Sequence, residues 1–529
     1  MAAPRIMFDH DGRHPLIYMY EPPIQREELE AAVDEVVGTP VEALMLMLGD
    51  VRSLLYETQV GELWGQDVPK WPHLIWRRAH QNFADLIAAG NDPLRVLCER
   101  AHAKDMAFYP KLLVQQGARE RMLKSWEKEG FDPDDWQNVL QSLDIGSKGG
   151  VDQDWPGYAC TDFAHQEVRD LTLAVVKEVV ENYPVDGFEL EFNYWPYYFH
   201  PDEVESGRQI MTEWVGQVYE TVKQARPEGE LVLHVPADIA GGLAVGLEPL
   251  EWVRAGIVDV IVPEAGSNMQ VDPSADFTAF VEAAKGTSCQ VMAVIQSRVD
   301  TDRVAINTIE MVRATACNYW AQGIDGFYLE HWFADWPYRS DFYEKLRELA
   351  DPEVMQPKDK IYYLPTKGAG LPKPVIAPRT ADPLPVELVV DEAVSCGFMV
   401  SDDLPRWDGV GRVHEVMLRV FLATTTELDR LAFKFNGTDL PDQLLRKINQ
   451  TYRMQAPHYR AYGYWYVFAL ERGCWPVEGE NNIEVVLLEK DAGVKGQVEL
   501  QRVELEIKYL MGKNFHRGFV DGDLGPYEE

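Results

Sequence analysis

The chain has 529 residues, of which 46% are apolar and 26% charged, so it has the material for buried cores and belongs with folded proteins rather than disordered ones. Its 50 Lys and Arg face 86 Asp and Glu, which gives a formal net charge of −36. A field of this sign repels phosphate groups, so we expect neither nucleic acid nor an anionic membrane surface as a partner.

The cysteines and the N-terminus indicate the compartment. The six cysteines are scattered without the paired spacing of a metal site, and we expect free thiols and no metal or other cofactor. Residues 1–12 lack a basic segment followed by an apolar stretch, and no run of 18 apolar residues occurs. The sequence as it stands predicts a cytoplasmic protein, with a removed signal peptide as the open alternative, and it does not indicate an oligomeric state.

Short apolar runs alternate with amphipathic stretches over roughly the first 350 residues. Stretches with helical spacing, such as 167–182 and 203–225, separate the runs. Eight runs predict strands, at residues 5–8, 43–48, 106–109, 185–192, 231–235, 258–262, 290–295 and 324–329. Eight strand-plus-helix units are typical of a TIM barrel, the α/β fold of (β/α)8 topology, whose active site forms at the C-terminal ends of the strands. We therefore predict a catalytic barrel over residues 1–350.

An internal similarity supports this count. Residues 186–193 read DGFELEFN and residues 325–332 read DGFYLEHW, four units later in the chain. The two segments occupy the same place in each half of the predicted barrel.

The sequence changes character after residue 350. Prolines concentrate in residues 351–384, which we interpret as a proline-rich linker. The later runs, separated by Gly, Asn, Asp and Pro, predict strands without helices at residues 386–390, 413–422, 430–435, 462–469, 482–488 and 498–509. Strands at such spacing predict an accessory β-sandwich over residues 385–529.

Three carboxylates fall at the predicted C-terminal strand ends. Alternation in the fourth strand turns Glu189, Glu191 and Asn193 toward the barrel axis, where an unpaired charge costs several kcal/mol unless it serves a site or has a partner. The same alternation in the eighth strand turns Glu330 inward, aligned with Glu191. Glu264 ends the sixth strand. A pair of buried glutamates neutralised by Lys or Arg is the structural alternative to a site.

Other polar and aromatic residues fall on the same rim. We expect them to bind substrate, and they are Asp9, His10, Lys111, Glu189, Asn193, Trp195, His234, Gln296, Arg298, Tyr328 and Trp332. A carboxylate-rich rim with aromatic loops suits a polyhydroxylated substrate.

Glycoside hydrolysis needs two carboxyl groups that flank the scissile bond, one as acid and one as nucleophile or base. We therefore predict a glycosidase acting on an oligo- or polysaccharide, with Glu191 as nucleophile or base. Glu330, in more aromatic surroundings, is the first candidate for the acid and Glu264 the alternative.

Three segments carry a family resemblance. Residues 162–170 (DFAHQEVRD), 185–192 (VDGFELEF) and 195–199 (WPYYF) resemble the glycosyl-hydrolase-like TIM-barrel proteins, loosely related to family 10, of polysaccharide-degrading bacteria. The resemblance implies a carbohydrate-active barrel with Glu191 as a catalytic carboxylate and an accessory β-sandwich. Glu191 stands where that family has Asp, and Asn193 and Tyr194 replace its common Met-Arg pair.

Two other readings compete with a glycosidase. His10, His234 and two glutamates offer ligands for a metal-dependent lyase, aldolase or isomerase of a sugar-like substrate, although no HxH or HExxH spacing supports it. Metal content discriminates this reading. A non-catalytic carbohydrate-binding protein is the other alternative, and sugar binding without turnover would favour it.

Overall fold

The computed structural model describes residues 5–12, 19–66, 68, 70–71, 74–115, 142–152, 155–265, 271–299, 307–365, 384–449, 463–515 and 517. The first eight strands form a closed parallel barrel in which each strand pairs with the next and the last with the first. They are β1 (Arg5–His10), β2 (Ala43–Gly49), β3 (Ala107–Leu113), β4 (Gly187–Glu191), β5 (Glu230–Pro236), β6 (Val260–Glu264), β7 (Gln290–Gln296) and β8 (Gly326–Glu330). The predicted barrel is confirmed.

Helices connect the strands and cover the barrel from outside. They are Arg26–Asp34, Leu74–Ala88, Pro93–His102, Gln166–Asn182, Val204–Ala225, Ile239–Ala244, Pro249–Ala255, Thr278–Ala284, Ile309–Trp320, Ser340–Glu348 and Pro352–Met355. Strand residues that point outward, such as Phe188 and Leu190, join the core between barrel and helices. None of these described helices is long and apolar enough to cross a membrane.

The internal similarity has a structural basis in the aspartates that precede two strands. The carboxylate of Asp186 accepts a hydrogen bond from the backbone N–H of Phe108 in β3 at 2.7 Å. The carboxylate of Asp325 accepts one from Val291 in β7 at 2.9 Å. In each half-barrel the aspartate thus ties the start of a strand to the strand before it, which fixes the register of the residues that follow.

Antiparallel strands form the C-terminal part. They are β9 (Lys360–Tyr363), β10 (Val386–Leu388), β11 (Ala393–Val400), β12 (Val413–Ala423), β13 (Arg430–Phe435), β14 (Thr438–Asp439), β15 (Leu445–Asn449), β16 (Gly463–Ala469), β17 (Gly479–Glu489) and β18 (Val498–Tyr509). One short helix, Leu404–Gly409, follows β11.

These strands form two sheets that pack face to face. One sheet has the order β10-β18-β12-β16-β15, with β9 also paired to β18, and the other has the order β11-β17-β13-β14. Leu418 and Val420 of the first sheet share a core with Ile483 and Val485 of the second. This confirms the predicted β-sandwich.

Part of the predicted linker is strand. Lys360–Tyr363 pairs antiparallel with β18, so the segment expected to be a linker contains the helix Pro352–Met355 and then an element of the sandwich. Four residues between charged and proline-rich sequence are too short to show a period. Residues 366–383 lie outside the described residues, and the domain boundaries stay a prediction.

Three other described strands, β11, β14 and β15, were not predicted from the sequence. Residues Cys396, Phe398 and Val400 of β11 point into the sandwich core, but Ser395 and Gly397 on either side of Cys396 weaken the apolar pattern. β15 pairs only with β16 and carries Arg446 and Lys447, as sheet edges often do.

The sandwich contacts the barrel through the helix Ile309–Trp320, which follows β7. The side-chain amide of Asn318 donates to the carbonyl oxygens of Pro273 at 2.9 Å and Met399 at 3.0 Å. Asn318 is buried, so one amide satisfies a carbonyl from each part of the chain.

Candidate active site

The interior of the barrel has an apolar and a polar layer. Met7, Met45, Val232 and Met292 are among the side chains that form a small apolar cluster on the axis. Toward the C-terminal strand ends the inward side chains become polar, and each is at most 6% exposed: Asp9, Lys111, Glu189, Glu191, His234, Glu264, Gln296 and Glu330. All eight were predicted from strand alternation or strand-end position.

Lys111 of β3 lies among four carboxylates. Its Nζ is 3.0 Å from Glu191, 3.4 Å from Asp9, 3.6 Å from Glu330 and 3.8 Å from Glu189. Burial alone would lower the pKa of Lys111, but the surrounding negative groups, Asp9 first among them, raise it well above its usual range. The ammonium therefore stays charged and partly neutralises the cluster.

Tyr328 of β8 lies beneath this ammonium. Its hydroxyl donates to the two carboxylate oxygens of Glu189 at 2.9 and 3.0 Å and lies 3.3 Å from Asp9. Lys111 in turn donates to the Tyr328 hydroxyl at 3.2 Å. Burial raises the pKa of Asp9 to about 7, with Glu330 adding to the rise and Lys111 opposing it.

His234 of β5 separates two of the candidate catalytic carboxylates. Its Nδ1 lies 2.7 Å from Glu191 Oε2, and its Nε2 lies 3.4 Å from Glu264 Oε2. Burial alone would lower the pKa of His234, but Glu191 above all raises it well above its usual range. A charged imidazolium between the two carboxylates follows.

Two amides connect the carboxylates further. The backbone N–H of Asn193 donates to Glu191 Oε1 at 2.6 Å, and its side-chain amide donates to Glu264 Oε2. The side-chain amide of Gln296 donates to Glu264 Oε1 at 2.8 Å and also to Glu330 Oε2. Glu264 is thus held from both sides, by residues of β7 and of the segment after β4.

The pKa values of the three carboxylates are shifted in different directions. Burial would raise the pKa of Glu191, but His234 and Lys111 outweigh it and lower that pKa. Burial likewise acts on Glu330, but His331 and Lys111 bring its pKa well below the usual range. Burial, with the nearby charge of Glu330, raises the pKa of Glu264. Glu191 and Glu330 are therefore the ionised pair, and Glu264 is the group that keeps a proton to higher pH.

The same side chains form two groups with the spacing of metal ligands. Glu189, Glu191 and His234 each offer an atom within 4.8 Å of the others, and so do His234, Glu264 and Glu330. Carboxylate and imidazole ligands in such triads suit a divalent cation.

His331 is a neighbour of the site that alternation did not identify. Its Nδ1 lies 3.2 Å from the Gln296 side-chain oxygen and 3.7 Å from Glu330 Oε2. Alternation from Glu330 would turn His331 outward, but its left-handed backbone, with φ of 58°, breaks the alternation. The sequence signal for His331 as a site residue was its position directly after the inward-pointing Glu330.

The same turn corrects the expectation for Trp332. Trp332 is 1% exposed and lies in the core between barrel and helices, 6.1 Å from the ring of Phe342. Its indole N–H donates to the carbonyl oxygen of Ile295 at 2.8 Å. Trp332 is therefore a packing residue and not the substrate contact that we expected.

Two more predicted contacts have other described neighbours. His10 follows Asp9 in β1, lies beside the ring of Phe333, and accepts a hydrogen bond from Gly12 N–H at its Nδ1. Trp195 packs with Ile145 and Cys160 in a small loop core, and its indole N–H donates to a backbone carbonyl oxygen. Their role as substrate contacts stays a prediction.

Arg298 follows β7 and is partly buried. Segments after four of the strands lie outside the described residues, namely 13–18, 116–141, 266–270 and 300–306. The described residues therefore form the carboxylate floor of the candidate site and part of its rim.

Asp9→Asn tests the electrostatics of the polar layer. With its pKa raised to about 7 in the folded chain and near 3.9 when unfolded, Asp9 gives the folded state an extra proton between these values, so its contribution to stability falls as pH rises. We expect the free energy of unfolding of the variant to gain on wild type by at most about 1.4 kcal/mol per pH unit between about pH 4 and 7. Urea unfolding at several pH values measures this gain.

The control for this comparison is Asp442→Asn, at an exposed side chain that makes no ion pair with another described residue. That variant should keep a constant difference from wild type. A constant difference for Asp9→Asn as well would contradict a neutral, buried Asp9.

Comparisons with known proteins give resemblances of low identity. No protein-family model and no curated protein sequence matches the chain. A cycloisomaltooligosaccharide glucanotransferase from Paenibacillus sp. is 12% identical over 94% of this chain and 57% of its own, with a TM-score of 0.33. The α-L-fucosidase isoenzyme 2 of Paenibacillus thiaminolyticus is 14% identical over 66% and 49%, with a TM-score of 0.39. An Anoxybacillus α-amylase is 12% identical over 92% and 98%, with a TM-score of 0.39. The chain spans about half the length of the first two, and the family-10-like resemblance stays a prediction.

Proposed function

We propose that the chain is a glycoside hydrolase that cleaves an oligo- or polysaccharide at the C-terminal ends of the barrel strands. The observation that carries this proposal is the position of Glu191 and Glu264 on the two sides of His234, with pKa values shifted in opposite directions. Two neighbouring carboxyl groups whose pKa values are pushed apart divide into an acid and a base or nucleophile.

Glu264 is the proposed acid. Its raised pKa keeps a proton available for the leaving-group oxygen, and Gln296 and Asn193 fix the direction of its carboxyl group. If the side-chain oxygen and nitrogen of Asn193 are exchanged, its oxygen accepts a hydrogen bond from the protonated Glu264 carboxyl. The exchange breaks no other hydrogen bond to a described residue.

Glu191 is the proposed nucleophile, or the base that activates water. Lys111 and His234 keep it ionised, and the Asn193 backbone N–H orients it. Such a fixed, charged carboxylate needs little reorganisation as the sugar develops positive charge.

Glu330 takes a different role from the acid expected from sequence. Its pKa is well below the usual range, so it holds no proton to donate at neutral pH. Its negative charge instead raises the pKa of Glu264, and we assign Glu330 as a positioning residue for the acid.

Substitution of the two proposed groups should separate their roles. Glu191→Gln removes the charged carboxylate and should lower turnover on every substrate by about 10³- to 10⁶-fold. Glu264→Gln removes the proton donor, so it should fail on natural glycans and retain activity on aryl glycosides, whose leaving group needs no proton. Steady-state kinetics on a glycan panel and on aryl glycosides measure both effects.

Glu220→Gln, at an exposed position of the helix Val204–Ala225, is the matched control and should keep full activity. Circular dichroism and sugar binding should be unchanged in all three variants. Near-normal turnover by Glu191→Gln on the natural substrate would end the assignment of that residue.

Glu330→Gln should shift the pH profile of kcat/KM. The charge of Glu330 raises the pKa of Glu264, so its removal lowers that pKa and moves the alkaline limb to lower pH. The acid remains, so natural and aryl substrates should lose activity together, in contrast to Glu264→Gln. An unmoved alkaline limb, or selective loss on natural glycans, would return the acid role to Glu330.

A metal-dependent lyase, aldolase or isomerase is the second candidate, favoured by the two triads of possible ligands. One feature opposes it: Lys111 already supplies a cation 3.0 Å from Glu191. Metal content of the purified protein and activity after chelation decide between the two. Stoichiometric metal together with complete loss on chelation would replace the glycosidase proposal.

A binding role without catalysis predicts a third result. Wild-type protein that binds sugars and hydrolyses none of a broad panel, with Glu191→Gln binding equally, would identify a carbohydrate-binding protein.

A further inference from the structure

Arg298 follows β7 at the C-terminal end of the barrel. Its Nε is shielded from solvent and makes no hydrogen bond to any described residue. A guanidinium nitrogen that has lost water without gaining a partner costs free energy, and buried polar groups of proteins are generally paired. An absent partner at a candidate site points to a ligand.

Arg298 lies just past the C-terminal end of β7, where the mouth of the barrel is. Gln296, the last residue of β7, points inward and contacts Glu264 and Glu330. The chain bends at Ser297, and the carbonyl oxygen of Arg298 accepts from Val271 N–H at 3.3 Å. Ile295 and Val299 both belong to the core outside the barrel, so the Arg298 backbone lies between that core and the mouth.

We propose that Arg298 binds an anionic group of the substrate, so that the glycan carries a carboxylate, as in uronic acids, or a sulfate ester. This inference rests on the proposed glycosidase function and deepens it. The planar guanidinium matches both groups, because it donates parallel N–H bonds to two oxygens of one anion.

The floor contains cations as well as carboxylates. Lys111 lies within 4 Å of four carboxylates and offsets part of their charge, and His234 lies between Glu191 and Glu264. Arg298 adds a positive charge just past the C-terminal end of β7.

Matched substrate pairs test the proposal. The probes are 4-nitrophenyl glucoside and glucuronide, galactoside and galacturonide in both anomers, and oligosaccharides with and without sulfate. For wild type, kcat/KM should favour the acidic member of the productive pair. Arg298→Gln should lower the ratio of acidic to neutral kcat/KM by about 10- to 100-fold, the usual effect of a charged hydrogen bond. Arg298→Lys should recover part of it, since the charge returns without the planar fork.

Arg254→Gln is the matched control, at a side chain that is 53% exposed and paired with Glu251. It should leave the ratio unchanged. Dependence on Arg298 in the uronide pairs alone identifies a carboxylate, and in the sulfated pairs alone a sulfate. A wild-type preference for neutral substrates, or an equal ratio in wild type and Arg298→Gln, would overturn the proposal.

A failure of the glycosidase function gives a separate signature. If no member of any pair is hydrolysed, titration calorimetry with glucuronate, galacturonate and glucose still reports on Arg298. Binding of a uronate that Arg298→Gln abolishes and Arg254→Gln keeps supports the anion site without catalysis. Equal binding by both variants, or no uronate binding by wild type, rejects the site.

Discussion

A single buried ammonium, that of Lys111, permits the polar layer of this barrel. Carboxylates from β1, β4 and β8 approach it within 4 Å in a space that excludes water. Without such a cation each ionised carboxylate would cost several kcal/mol, and the group would take up a proton instead. His234 adds a second positive charge between Glu191 and Glu264. These two cations offset the carboxylates unequally, and the inequality separates the pKa values of Glu191 and Glu264.

Strand alternation explains why much of this layer could be predicted. A period of two is set by the backbone, so the apolar residues of β4 identify the inward positions of Glu189 and Glu191, and the same holds for Tyr328 and Glu330 in β8. The barrel itself is visible in the sequence because its strands are continuous apolar runs separated by helical periodicity. Edge strands of the sandwich, with polar residues and lengths of two to five residues, carry too little pattern to be seen.

The rest of the site depends on backbone conformation and on distances across the barrel, which the alternation of residues along a strand does not predict. The left-handed backbone of His331 reverses the orientations that alternation predicts for His331 and Trp332. The His331 imidazole therefore lies near Glu330, and Trp332 lies in the core. The proposed division between acid and charged neighbour depends on distances across the barrel. Glu330 has aromatic neighbours in sequence, which favoured an acid, but His331 and Lys111 lie close enough to keep it ionised. Inside a barrel, residues from other strands surround a side chain, so its neighbours in sequence are a poor guide to its pKa.

The apolar layer below the carboxylates gives the site its direction. Met7, Met45, Val232 and Met292 fill the axis, so an unpaired charge among them would be unfavourable. Asp9 and Glu189 lie next to this layer, and the Tyr328 hydroxyl lies within 3.3 Å of both carboxylates. Glu264, Gln296 and Glu330 end their strands, farther along the axis. Polarity therefore increases from this layer toward the C-terminal ends, where a polyhydroxylated ligand would exchange water for protein hydrogen bonds.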